Sequence, residues 1–379
     1  MRFYCLILFV FSNVLFSQNS LKGYLKDDES KLSVVGANIF VANTSLSTIS
    51  DQNGFFELMI QNSNAEIIVS CVGYETISIN VKSLLDFDTK KVFNLKKSTT
   101  NLDEVAVSFK DVKNRKLALK IFINNFIGKS EMAGNVKILN PEVIEFREES
   151  LPHNYKLIAF ADKPVILINK KLGYKISYVL IDFEYNLDNA HENMYAYYKG
   201  YASFTDIVKE FKLDPEKIFE NRQITYLGSG MHFIRSLYNH NCKNEGFRIS
   251  KFKKIENPLY KPKTLNEDKI LSDHIEPKYT ILKSVLGAKE SLVVNENNKK
   301  YVAFSDYLLV NYIHEKEDYN YSVKYGRSLN NFQNSELQLK EVKVEIFADG
   351  NYSPADKIVF FGYMAWEKMG DMLPYDYQP

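Results

Sequence analysis

From Leu21 to Leu95 hydrophobic and polar positions alternate in short runs, interrupted by turn residues about every eight to twelve positions, a rhythm that predicts a β-sandwich. In GANIFVA, Ala37, Ile39 and Val41 share one face; in FFELMI, Phe56, Leu58 and Ile60 do; in ETISINV, Ile77, Ile79 and Val81 oppose Ser78 and Asn80. A period of two is the mark of a strand with one buried face. Asn43-Thr44-Ser45 and Asp51-Gln52-Asn53-Gly54 separate the runs, and Gly54 is suited to the positive φ of a tight hairpin.

Beyond Asp111 the pattern becomes mixed. RKLALKIFINNFIG has apolar residues around most of a helical circumference, with Gly128 placed as a C-terminal cap, and predicts a well-buried helix. PEVIEF, YKLIAFA, PVILINK, YKISYVLIDFEY and MYAYYKGYASF follow as strands. Asp214-Pro215-Glu216 predicts a helix start, with Asp as cap, Pro in the first turn and Glu facing the dipole. FRISKF, KKYVAFSDYLLVNYI, KEVKVEIFA and DKIVFFGY supply further strands. The expected fold is mostly β: a sandwich, then an α+β domain in which a few helices pack on a largely antiparallel sheet.

The first residues, MRFYCLILFVFSNVLFSQ, show one basic residue, an apolar run from Leu6 to Phe11, and a small residue, Ser17, before Gln18. This predicts a signal peptide over 1–17, and hence an exported protein. Cys5 precedes the apolar run, which argues against a lipoprotein cleavage site. No later segment has membrane-spanning length. The polar stretch around NLKKSTTNLDEVAVSFK marks a boundary, so the expected order is sandwich over 18–96, linker over 97–110 and α+β domain over 111–379.

Lys and Arg number 48 against 47 Asp and Glu, and removal of Arg2 with the leader balances the charge. A balanced, interspersed charge argues against nucleic acid as a partner. Cys71 and Cys242 alone remain after the leader; Cys71 shares a face with Ile67 and Val69, and two independent thiols are expected.

The order LKGYL, VVGANIFVANTSLSTISDQNGFFELMI, IIVSCVGYETISINV, with G-A-N at Gly36 to Asn38, S-D-x-x-G-x-F from Ser50 to Phe56 and V-G-Y from Val72 to Tyr74, resembles the carboxypeptidase regulatory-like domain. The resemblance implies a seven-stranded transthyretin-like sandwich. It also implies a Gram-negative envelope protein, periplasmic or associated with the outer membrane, because that domain recurs at the N-termini of such proteins and of TonB-dependent receptors. LDEVAV resembles the segment entering a receptor plug, but a helix follows it and too few residues remain for a large barrel. LGYKISY, NRQITYLGSGMHFIRSL and GYMAWEKMGDMLPYDYQP resemble a group of exported two-domain proteins without assigned activity. Zinc carboxypeptidase chemistry would need H-x-x-E and a third histidine. Only His314, with Glu317, fits the spacing, inside a charge patch that reads as a solvated strand end; neither HENMY nor HEKED is HExxH. No metal or cofactor is expected.

Three features carry candidate chemistry. In GSGMHFIRSL a helical wheel puts Met231, Phe233, Ile234, Leu237 and Tyr238 on one arc and His232, Arg235, Ser236, Asn239 and His240 on the other, so His232 and Arg235 are expected on a polar face. His232 and His240 lie too far apart for one metal. Ser229, Gly230, His232, Arg235 and Arg222 could hold an anion, or Gly and Ser could simply turn the chain between helices. Tyr195, Tyr197 and Tyr201 alternate onto one face, joined by Tyr319, Tyr321 and Tyr325, and would stack on sugar rings if exposed or pack in the sheet if not. Tyr363, Trp366, Met369 and Met372 form a helical stripe expected to close the core.

No nucleophile and base, metal cluster or phosphate loop emerges, so no catalytic residue is assigned. The expected function is a non-catalytic envelope module for binding or assembly, beside an outer-membrane transport system, with an envelope protein or a glycan as partner. The alternatives are a hydrolase with a scattered site, for which His232, Arg235, His314 and Glu315 are the first residues to test with Asp306 or Glu315 as carboxylate, and a carbohydrate binder using the tyrosines.

Overall fold

The computed structural model describes residues 19–61, 65–84, 90–98, 110–151, 154–188, 193–256, 279–285 and 291–379. The signal-peptide segment 1–17 and most of the linker lie outside them, as do His153, His191 and His274. The chain divides into two compact units, Met1–Val41 with Leu46–Lys97, and Ala42–Ser45 with Ser98–Pro379.

The first unit is a β-sandwich of a three-stranded and a four-stranded sheet. Asn19–Asp27 pairs antiparallel with Phe55–Ile60 and parallel with Lys91–Leu95. Asn38–Val41 and Glu66–Ser70 form the centre of the second sheet, with Ser47–Ile49 and Ile77–Asn80 at its edges. The alternation in FFELMI appears directly in space: Phe56, Leu58 and Ile60 are buried, while Glu57 and Met59 face out. Ile77 and Ile79 are only half-buried, because an edge strand is covered on one side. Gly54 has φ +73°, and the Asp51 carboxylate accepts from Asn53 N and Phe55 N at 2.8 Å each, closing the turn. Tyr74 of V-G-Y donates its hydroxyl to the Asp27 carboxylate at 3.1 Å. Hydrogen bonds from Ser30 hold that carboxyl at about 2.

The second unit is built on antiparallel sheets. Its first has seven strands, with the long hairpin Tyr174–Asp188 and Asn193–Asp206 beside Asn154–Phe160 and Val165–Asn169. A bulge between Leu180 and Asp182 shifts the phase of the inward face. Before it Ile176, Tyr178 and Leu180 are buried; after it Phe183, Tyr185 and Leu187 are. One extra residue, Ile181, flips the side-chain alternation and is itself left exposed. Helix α1, Arg115–Phe126, covers this face, with the Phe122 ring 4.8 Å from Phe183 and the Phe126 ring 4.9 Å from Tyr178.

A five-stranded sheet, with Phe247–Glu256, Tyr307–Lys316, Phe332–Leu339 and Ile358–Gly362 among its strands, carries the second core. Helix α2, Pro215–Tyr226, starts where Asp214-Pro215-Glu216 indicates, the Asp214 carboxylate accepting from Glu216 N and Lys217 N. Helix α3 is Gly230–Tyr238.

Two local expectations are corrected. YNYSVKYG is not a strand but helix α4, Tyr319–Lys324, because the Asp318 carboxylate caps Tyr321 N; Tyr321 therefore turns in, whereas Tyr319 and Tyr325 turn out. The tail is not one helix. A short helix α5, Tyr363–Trp366, and a 3-10 turn, Met369–Asp371, are separated by an extended Lys368. Trp366 and Met369 are nonetheless buried, as closing the core requires. Among the described residues no helix is long and apolar enough to cross a membrane.

Candidate functional site

The GSG segment turns the chain from α2 into α3. Gly228 has φ +78°, and Ser229 is the N-cap, its Oγ accepting from His232 N at 3.2 Å and donating to Tyr226 O at 2.7 Å. Gly228 N donates to His232 Nδ1 at 3.1 Å. That bond fixes the tautomer, because an accepting Nδ1 leaves the ring proton on Nε2, which donates to Glu245 Oε2 at 3.2 Å. The imidazole lies among Tyr226, Phe247 and Tyr312, with ring centroids 4.8, 4.9 and 5.6 Å away.

His232 and Arg235 lie on the polar arc of α3, but that arc is buried: they are 2% and 8% exposed, and Ser236 beside them is buried too. The polar arc of α3 faces Glu245 on one flank and backbone carbonyls on the other. Arg235 Nε donates to Asp349 O at 2.9 Å, and its Nη2 to Tyr375 O and Tyr377 O at 3.0 Å each. Arg222 turns elsewhere, its Nε donating to Leu172 O at 2.8 Å and its Nη2 to the Asp206 carboxylate at 2.8 Å, with the guanidinium 4.0 Å over Tyr174. The proposed anion donors, Ser229, His232, Arg235 and Arg222, are thus engaged with protein acceptors, and the two guanidinia hold different sets of them. A Cβ added at Gly230 would meet nothing nearer than the Phe360 ring.

Of the residues of the scattered-site alternative, His314 lies close enough to His232 to act on its charge, and the carboxylates have other partners. His314 is exposed on Tyr307–Lys316, its ring 5.6 Å from Tyr312. Glu315 accepts from Gln333 Nε2 at 3.2 Å. Asp306 pairs with Lys253 at 3.6 Å. The carboxylate beside His232 is Glu245, which no pattern in NCKNEG announces. Tyr195 and Tyr197 are exposed, as a binding face needs, while Tyr201 is half-buried. The Tyr195 hydroxyl donates to Glu184 Oε1 at 2.6 Å. Cys71 and Cys242 are separate, half-buried free thiols, and burial pushes Cys242 up to about 12. Among the described residues no group of three His, Cys, Asp or Glu is arranged to hold a metal.

Two buried groups make stability depend on pH in opposite directions. Burial lowers the His232 pKa, against the pull of Glu245. The unfolded chain takes up this proton below about pH 6.5, so the contribution of His232 is complete above that value and is lost as pH falls. Burial raises Glu315 from 4.5 to about 7, against the Gln333 hydrogen bond. Its contribution is complete below the unfolded value and is lost as pH rises through the folded one. Glu315→Gln is therefore expected to raise stability at pH 8 by about 1 kcal/mol, after discounting for partial exposure, and to leave the acid end unchanged. Urea titrations from acid to pH 8 measure this; superimposable curves for both proteins would refute it.

With the geometry in place, comparison with known proteins gives first a class. Residues 21–107 match the CarboxypepD_reg-like domain family, so the first unit is a regulatory-type β-sandwich, not a catalytic domain. Among solved structures the chain is similar to a Bacteroides fragilis NCTC 9343 protein of unknown function whose description suggests membrane association. The two are 11% identical, the match covers 91% of this chain and 95% of that one, and the TM-score is 0.16, too low to bear on the fold. No curated protein matches the sequence.

Proposed function

We propose that the chain is a non-catalytic binding or assembly module exported to the envelope of a Gram-negative bacterium, working in the periplasm or at the outer membrane beside a transport system. The observation that carries this reading is the use of Arg235, Arg222 and His232 as internal ties: the side chains best suited to chemistry hold carbonyls and two carboxylates of the protein itself. The sandwich supports it, since the family matched over 21–107 is a regulatory-type domain.

Crosslinking in intact cells is expected to join the protein to one defined outer-membrane component, while residues 18–379 turn over no ester, peptide, glycoside or phosphoester. Turnover abolished by His314→Ala or Glu315→Gln with melting no lower than that of the wild type would overturn the reading in favour of a hydrolase. His314 is exposed and Glu315 half-buried, so these variants separate chemistry from unfolding.

A second reading rests on Tyr195 and Tyr197, exposed two positions apart on one strand face and spaced by about 7 Å, as a sugar-stacking platform requires. An oligosaccharide that raises the melting temperature of the wild type and not of Tyr195→Ser/Tyr197→Ser would establish it.

A further inference from the structure

Helix α4 and the loop after it form a patch unlike the rest of the surface. Within fourteen residues Tyr319, Val323, Tyr325, Leu329 and Phe332 are all exposed, with Tyr319 and Val323 at 58% and 59%. The patch is held firmly from beneath. Tyr321 turns inward against Tyr363 and Trp366, with ring centroids 5.3 and 5.5 Å away, so the spacing of one helical turn puts Tyr319 and Val323 together on the outer face.

Within the segment itself the charges are of one kind, Lys324 and Arg327. No acidic residue occurs from Tyr319 to Ser335. The two acids just before are turned to internal work: Glu317 is buried and accepts from Arg327 Nε at 2.8 Å, and the Asp318 carboxylate accepts from Tyr321 N and Glu131 N. Glu131 is an exposed acid on this flank, and Lys171 Nζ bonds its backbone carbonyl. Lys316 Nζ sits 3.5 Å over the Phe332 ring and Lys324 Nζ 4.9 Å over the Tyr325 ring.

We propose that this face, Tyr319 to Phe332, docks on an anionic lipid surface. Lysine is depleted from the cores of protein interfaces, whereas tyrosine rings with lysines beside them are the residues of a membrane's polar boundary. There the rings and the Val323 and Leu329 side chains enter the headgroup layer, and the ammonium groups meet lipid phosphates. The arrangement lies on a membrane and does not span it. This inference goes beyond the assembly reading, which crosslinking tests separately, so either can fail alone.

The test is sedimentation of residues 18–379 with vesicles of phosphatidylcholine alone and of phosphatidylcholine mixed equally with phosphatidylglycerol. The expected result is binding to the mixed vesicles, little to the neutral ones, and weakening by salt. Tyr319→Ser/Val323→Ser/Leu329→Ser is expected to weaken binding about tenfold or more, and Lys316→Gln/Lys324→Gln by a similar factor, both with wild-type melting temperatures. Absence of binding to the mixed vesicles, or undiminished binding by the triple variant, overturns the proposal. So does a dimer in solution that the triple variant dissolves while no vesicle binding is seen, an outcome that assigns the face to a second copy of the chain.

Discussion

Replacing Arg235 with alanine is expected to cost about 3–5 kcal/mol and to release the residues that follow the last 3-10 turn. The guanidinium supplies three hydrogen bonds to backbone carbonyls, two of them on Tyr375 and Tyr377. A charged donor in a site 8% exposed contributes more than a neutral one. Its removal strands three carbonyl oxygens and also takes the guanidinium from 5.3 Å over the Tyr226 ring. The cost has an upper limit, since the two tail carbonyls can reach water once the tail loosens. Arg235→Lys is expected to recover less than half, because an ammonium is a single point and cannot span the three acceptors as a planar fork does. Urea midpoints give the stability, and hydrogen exchange of the amides of 373–379 gives the release. A loss under about 1 kcal/mol with unchanged exchange would show that the tail is held by other contacts.

The same bonds explain what the sequence could and could not convey. Phe56, Leu58 and Ile60 declare their strand because a buried face repeats every second residue and both neighbours lie in the same short run. Asp214 declares α2 because a cap acts on amides two and three positions away. His232 and Arg235 gave a clean amphipathic wheel, and the wheel was geometrically right. What it could not contain is the identity of the surface opposite the polar arc. That surface comes from Tyr375, 140 residues on, and from Glu245, in a loop with no pattern of its own. Tyr319 to Tyr325 failed for a different reason. Tyrosine favours strands, and one cap at Asp318 outweighed that weak preference. The bulge at Ile181 left no trace, since Tyr178, Val179, Leu180 and Ile181 are apolar in a row and hide the phase of the alternation.

The two glycines of GSG are expected to respond very differently to alanine. Gly228→Ala should cost about 2–4 kcal/mol, combining a left-handed residue that now carries a Cβ with overpacking. The new methyl would fall on Gln333 Oε1 and within 2.8 Å of Tyr312 Cδ1. Neither neighbour yields easily: Gln333 is 4% exposed and bonded to Glu315, and Tyr312 is 2% exposed. Any shift of the turn also disturbs the Gly228 N–H that holds His232 in its tautomer. Gly230→Ala should be neutral or gain up to about 1 kcal/mol, since the position is helical and a Cβ there meets nothing nearer than Phe360 at 3.6 Å. A ligand loop that needs close backbone approach would require both glycines, whereas a turn between helices requires only the first. Urea midpoints for the two variants distinguish these cases. Equal, large losses at both positions would mean that the segment is built around something other than its own turn, and would return an anion to consideration at Ser229.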